Sequence, residues 1–393
     1  MSNIAFAMLA PQPADALLGL IQLYRADART DKIDLGVGVF RNDAGETPVM
    51  RAVKLAEADL LRDQQSKSYL GAEGDVRYCE LLGRVAFGEK LAGDPLLGGV
   101  QTPGGTGALR LGAELIARNN SETTIWIGTP TWPNHGPIFN AAGLRTRFHR
   151  FYDTSTSALD FDGMMEDLAA ARSGDILLLH GSCHNPTGAS FTPAQWQTIA
   201  NLCLERELTP FVDIAYQGLG DTLQRDTTSA RLLLEQLPAA LVAYSCNKIF
   251  GLYRERVGAL WVKGETADIA VRIRANMLAL ARSLWSMPPD HGAAIVRVIL
   301  ESDDLRLAWE AELEAMRNRI NGLRRQLASS CPALGFTAEQ RGMFAMLPVT
   351  PDAVNALRTD HGIYMAGSGR INIAGLTSAN LPTFVDKVGP FLG

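Results

Sequence analysis

The chain has 393 residues, enough for a large buried core and for two domains. Apolar residues make up 47% and charged residues 20%, with a formal net charge of -5, so neither nucleic acid nor an anionic membrane is expected as a partner. The five cysteines (Cys79, Cys183, Cys203, Cys246, Cys331) are odd in number and show no C-x-x-C spacing, which argues against a disulfide framework or zinc site and points to a reducing cytoplasm.

The apolar stretch 4–10 stops at Pro11 and has no basic flank, so it reads neither as a membrane span nor as a signal peptide. It is expected to form an arm, residues 1–14, that packs on another surface, a second subunit being one candidate. Residues 15–27 and 51–62 carry helical apolar spacing. Between them, 34–40 (DLGVGVF) reads as a short strand interrupted by two glycines. Further on, short apolar runs at 123–128, 175–180, 209–214, 239–245 and 257–262 alternate with helical patterns at 107–118, 160–172 and 193–206. This alternation predicts a mostly parallel, buried sheet with helices on both faces. After Pro288-Pro289 the character changes: 303–329 reads as one long charged amphipathic helix, followed by mixed strands and helices. The expected division is therefore a large domain over 41–299 and a smaller α/β domain built from 15–40 and 300–393.

In an open α/β sheet, ligands sit at the carboxyl ends of the strands, so the residues after each apolar run matter most. Those positions hold Trp132 and His135, then His184 and Asn185, then Asp213 and Tyr216, then Asn247 and Lys248. Lysine is scarce, with seven against thirty arginines; six of the seven sit in polar or helical surroundings, and only Lys248 lies between apolar neighbours. Gly104-Gly105-Thr106-Gly107 opens a helical stretch, where glycines let backbone N–H groups approach an anion. Ser245 and Arg256 can complete an anion cup there, although G-x-x-x-x-G-K-[ST] is absent. Each residue also has a plainer reading: Asp213 as a turn cap, Tyr216 and Trp132 as core aromatics, Arg282 and Arg370 as surface arginines. His135, His180 and His184 raise the question of zinc, but no second pair at ligand spacing supports it, and no metal is expected.

The strings TPGGTGALR, PTWPNH, HNPTG, DIAYQG, NKIFGLYRERVG and SGRINIAG occur in this order, and from about residue 13 to the C-terminus the chain resembles the fold-type I, class I aminotransferases of the aspartate and aromatic-amino-acid subgroup. The resemblance implies pyridoxal 5'-phosphate as cofactor, held as a Schiff base on Lys248. It implies that Asp213 pairs with the pyridine nitrogen, with His135 behind it, and that Tyr216 and Asn185 bind the ring's phenolic oxygen. Trp132 is implied to stack on the ring. Gly105, Thr106, Ser245 and Arg256, with Tyr69 from a partner subunit, are implied to hold the phosphate. On the substrate side it implies Gly38, Trp132 and Asn185, with Arg370 on the α-carboxylate and the partner's Arg282 on a distal carboxylate.

These roles meet the chemical demands. Lys248 must lose its proton to attack an aldehyde, and burial or a cation such as Arg256 lowers a lysine pKa. The chain departs from the family pattern at Asn247, usually Ser or Thr, and at Ile249, usually Asn. Trp285 and Met287 flank Ser286 where relatives often carry Tyr and Asn, which leans toward aromatic side chains. The expected activity is transamination of aromatic amino acids and aspartate with 2-oxoglutarate and glutamate as the partner pair, in a cytoplasmic homodimer; the alternative is an aspartate aminotransferase with little aromatic activity. A nucleotide-dependent dehydrogenase would need G-x-G-x-x-G after the first strand, and a serine hydrolase G-x-S-x-G; neither is present.

Overall fold

The computed structural model describes residue 6, residues 9–11 and residues 16–392. Most of the arm expected over 1–14 lies outside the described residues; within it, Phe6 and Leu9 are exposed.

Seven strands form the central sheet: β1 (Leu97–Pro103), β2 (Thr124–Thr129), β3 (Arg145–Arg150), β4 (Ile176–His180), β5 (Thr209–Ile214), β6 (Ala240–Ser245) and β7 (Val257–Lys263). Their order across the sheet is β1-β7-β6-β5-β4-β2-β3. The pairs β3·β2, β2·β4, β4·β5 and β5·β6 are parallel, and only β7 runs against its neighbours β1 and β6. Alternate residues of β6 serve opposite faces: Val242 and Tyr244 enter one hydrophobic core, Leu241 and Ala243 the other. Because both faces are covered, the strand reads as a continuous apolar run. The five strands expected from apolar runs are all present. The two edge strands are not visible that way: β3 (RTRFHR) is charged, as suits an exposed edge, and β1 carries Gly98-Gly99. Gly99 is dictated by packing, since a Cβ there would fall 2.4 Å from the Trp261 indole nitrogen.

Outside this sheet, Ile33–Asp34 pairs in parallel with Ile363–Tyr364, and Phe344–Met346 pairs antiparallel with Arg370–Asn372. The strand expected over 34–40 is thus cut to two residues, 33 and 34. Beyond Leu35 the chain leaves the ladder because the Asn372 side-chain amide takes the carbonyls of Val37 and Val39 instead. The expected long helix spans Asp303–Ser330, capped by the Ser302 side chain. It buries Trp309, Leu313, Ile320 and Leu327 on one face.

Candidate active site

The carboxyl ends of β2, β4, β5 and β6 point to one edge of the sheet, and the reversed β7 brings its first residue to the same edge. This polarity gathers residues that are far apart in the chain. One cavity is lined by Gly105, Thr106, Trp132, Asn185, Asp213, Tyr216, Ser245, Lys248 and Arg256, all singled out from the sequence, together with Leu109, His180, Ala215 and Asn247.

Asp213 is buried near the end of β5, directly across the ladder from His180. His135 Nε2 lies 3.1 Å from Asp213 Oδ2, and its other nitrogen lies 2.8 Å from Thr131 Oγ1. An ionised carboxylate only accepts, so Nε2 is the donor in the contact with Asp213. Burial raises the Asp213 pKa, but the hydrogen bond and field of His135 outweigh it and leave the carboxyl below its ordinary value. His180 is pushed down to about 3 by burial and by His135, so it is neutral. Its Nε2 has no hydrogen-bond partner among the described residues. His135, His180 and Asp213 offer ligand atoms within 4.8 Å of one another, a grouping that strand pairing creates and chain spacing does not reveal. Both His135 nitrogens are already engaged within the protein.

Lys248 is half-buried, with its Nζ 5.1 Å from the centre of the Tyr216 ring. Its pKa is pushed down to about 8, chiefly by burial; Asp213 opposes the shift and Arg256 adds to it. The cation expected to depress this lysine is therefore present, but desolvation is the larger cause. Burial together with Asp213 pushes the Tyr216 phenol well up, so it keeps its proton as a donor.

The helix Gly104–Asn119 begins at the anion cup. Gly104 has φ +70°, and a Cβ there would lie 2.8 Å from Arg256 Nη2; a Cβ on Gly105 would lie 3.0 Å from the Ser245 Cβ. Both glycines are needed to leave that space open. Arg256 itself is in the left-handed region at φ +55°, and it is half-buried with its Nη1 donating to the Tyr253 carbonyl at 3.2 Å.

Arg370 comes in from the other sheet. Its Nη1 donates to Asn185 Oδ1 at 3.3 Å and its Nη2 to the Gly36 carbonyl at 3.0 Å, while the buried Nε has no partner among the described residues. The guanidinium lies 4.6 Å from the centre of the Phe344 ring, which meets Tyr216 edge-on at 6.0 Å. A Cβ on Gly38 would sit 2.8 Å from Phe344 Cζ, so Gly38 lies against Phe344; neither Gly38 nor Arg370 is among the residues that line the cavity. Phe344 escapes a reading of the sequence because nothing in its surroundings, a three-residue strand, distinguishes it from a core aromatic. Tyr69 and Arg282 are not in the cavity. Tyr69 is 93% exposed, and Arg282, at the exposed end of the helix Ala267–Leu284, donates to Ser286 Oγ at 2.6 Å. Near them Met287 Sδ accepts from the Leu70 amide at 3.0 Å, and Trp285, like Trp132, is partly buried against one of the two hydrophobic cores.

Residues 30–388 match the family model for aminotransferase class I and II. The chain is 51% identical to a tyrosine aminotransferase of Rhizobium meliloti over 386 residues, covering 97% of this chain and 99% of that protein. It is 40% identical to an aspartate aminotransferase of Escherichia coli over 391 residues, covering 98% and 99%. Among solved structures, an aromatic-amino-acid aminotransferase of Burkholderia pseudomallei covalently bound to pyridoxal phosphate superposes with a TM-score of 0.96 at 36% identity, covering 100% of both chains. An arrangement built from seven separate segments and matched over nearly the full length identifies the family: the chain belongs to the class I and II aminotransferases.

Proposed function

We propose that this chain is a pyridoxal-phosphate-dependent aminotransferase that acts on aromatic amino acids (phenylalanine, tyrosine, tryptophan) and on aspartate, with glutamate and 2-oxoglutarate as the second substrate pair. The observation that carries the reading is Lys248: a half-buried amine with its pKa near 8, sharing one cavity with the His135-held Asp213 carboxylate and with Arg256.

The residues present fit this cofactor. The cradle at Gly104 and Gly105, which side chains there would fill, has the donors for a phosphate in Thr106, Ser245 and Arg256. Asp213 supplies a fixed negative charge for the pyridine nitrogen, and Asn185 and the Tyr216 phenol supply donors for the ring's phenolic oxygen. Trp132, which lines the cavity, would cover a face of the ring. When bound, the cofactor supplies an electron sink for the pair released at the substrate Cα. Lys248 would hold the cofactor through its Nζ, and that amine, once free, would serve as the base for the substrate Cα proton and then as the acid that gives it back. Arg370 would take the α-carboxylate as a bidentate partner, its unpaired Nε adding a donor, and Gly38 lets Phe344 approach beneath that guanidinium. Phe344 keeps the Arg370 guanidinium in place.

The proposed assembly is a homodimer in which Tyr69 and Arg282 of the partner subunit complete the phosphate and side-chain pockets. Their exposure in the single chain, together with exposed apolar residues such as Leu61, Leu70 and Val271, supports this reading. The proposed division, 41–299 against 15–40 with 300–393, places Lys248 on the large domain and Arg370 on the small one. Among the described residues no helix is long and apolar enough to cross a membrane. All five cysteines are free, which supports a cytoplasmic location. Borohydride reduction followed by peptide mapping tests the reading: the cofactor label is expected on Lys248, Lys248→Ala is expected to abolish transamination, and a label on another lysine would overturn the assignment.

A further inference from the structure

Asn247 is a departure from the family pattern, and the structure gives its side chain two separate tasks. The buried carboxamide accepts from the Val257 backbone N–H through Oδ1 at 3.3 Å. Cys246 N donates to the Val257 carbonyl at 3.0 Å, so the turn that carries Lys248 is tied on both sides of Val257 to the strand that starts after Arg256. A backbone N–H can only donate, so the oxygen of the amide is fixed on Val257 and the nitrogen faces the other way. Asn247 lines the cavity, and its Nδ2 lies 3.5 Å from the point where a Cβ on Gly104 would stand, the same point that Arg256 Nη2 approaches to 2.8 Å. Among the described residues no acceptor takes Nδ2. Two N–H-bearing groups, one charged and one neutral, therefore converge on the open side of the glycine turn.

We infer that Asn247 Nδ2 is a donor to the cofactor's phosphate, and that the same side chain locks the Lys248 turn to the Arg256 turn through Oδ1. Rotating the amide to suit the phosphate would strand the Val257 N–H in a buried place, so this donor is preorganised. A hydroxyl at this position would offer one rotatable O–H, without a fixed direction. The inference rests on the proposed function, which supplies the phosphate.

Asn247→Asp separates the two tasks. The change keeps an acceptor for Val257 and replaces the donor with a negative oxygen at nearly the same volume. The probes are pyridoxamine 5'-phosphate and pyridoxamine, neither of which needs a bond to Lys248. Equilibrium binding to the full-length chain is expected to weaken about a hundredfold for pyridoxamine 5'-phosphate and less than about threefold for pyridoxamine, because only the first presents an anion to the new carboxylate. Asn247→Ala is expected to fall between wild type and Asn247→Asp in the same ratio of affinities. Equal losses for both probes would overturn the inference by making Asn247 a purely structural tie, and so would an unchanged ratio. A wild-type chain that binds neither probe and takes no borohydride label on Lys248 would instead overturn the proposed function.

Discussion

His135, the first residue of a helix, and Asp213, near the end of β5, lie with 3.1 Å between Nε2 and Oδ2, and the carboxylate makes Nε2 the donor. A buried carboxylate is thereby kept ionised against its own desolvation. Asp213→Ala is expected to retain cofactor while losing far more in turnover than in cofactor affinity, since the anchor and the phosphate cup stay intact. His135→Phe removes the donor but leaves the carboxylate, so the Asp213 pKa rises toward the value that burial alone dictates. The acid limb of the kcat/KM profile should then move to higher pH. An unshifted limb would mean that His135 contributes only packing.

Lys248 gives a pH dependence with a defined sign. Its pKa of about 8 lies below the ~10.4 of an ordinary lysine. Only the neutral amine attacks an aldehyde, so labelling of cofactor-free chain by pyridoxal and cyanoborohydride should rise through about pH 8 and then level. Surface lysines should keep gaining reactivity up to about pH 10. Arg256→Met removes a like charge, favours the protonated lysine and should move the Lys248 midpoint upward. A midpoint that moves down would contradict the repulsion between these two cations.

The shared site can be tested by hybrid dimers. Lys248→Ala chains lack the amine, and Arg282→Asp chains lack the distal cation. Mixing them should create one intact site per hybrid dimer and restore dicarboxylate activity that neither parent has. Demonstrated chain exchange without recovery would mean that Arg282 serves its own subunit.

Arg282 should also divide the substrates. Removing one partner of a desolvated charge pair costs about 3–5 kcal/mol, so Arg282→Ala should lower kcat/KM for aspartate and glutamate by at least about a hundredfold. Phenylalanine and tyrosine place a ring against apolar surface, where burial contributes roughly 1.5–3 kcal/mol without that cation, and they should lose less than about tenfold. Steady-state rates with the four amino acids read this directly. Equal losses in both classes would show that Arg282 supports the site instead of reading the side chain.

Six ordered motifs made the family and most of the cavity residues legible in the sequence, because glycines at a helix start, a lone lysine between apolar neighbours and polar residues after strand ends are local features of the chain. The five buried strands were legible for a related reason: burial on both faces leaves a continuous apolar run. The strands at the two edges were hidden, since an edge exposed to water can be charged or glycine-rich. Contacts made by tertiary packing alone were hidden too. His180 reaches Asp213 only through ladder register, Phe344 reaches Arg370 only because two short strands pair, and the direction of the Asn247 amide is decided by a backbone N–H ten residues away. Residue type and local spacing determine which chemistry a chain can offer; which groups meet, and in which orientation, depends on hydrogen bonds and packing between segments that the linear order keeps apart.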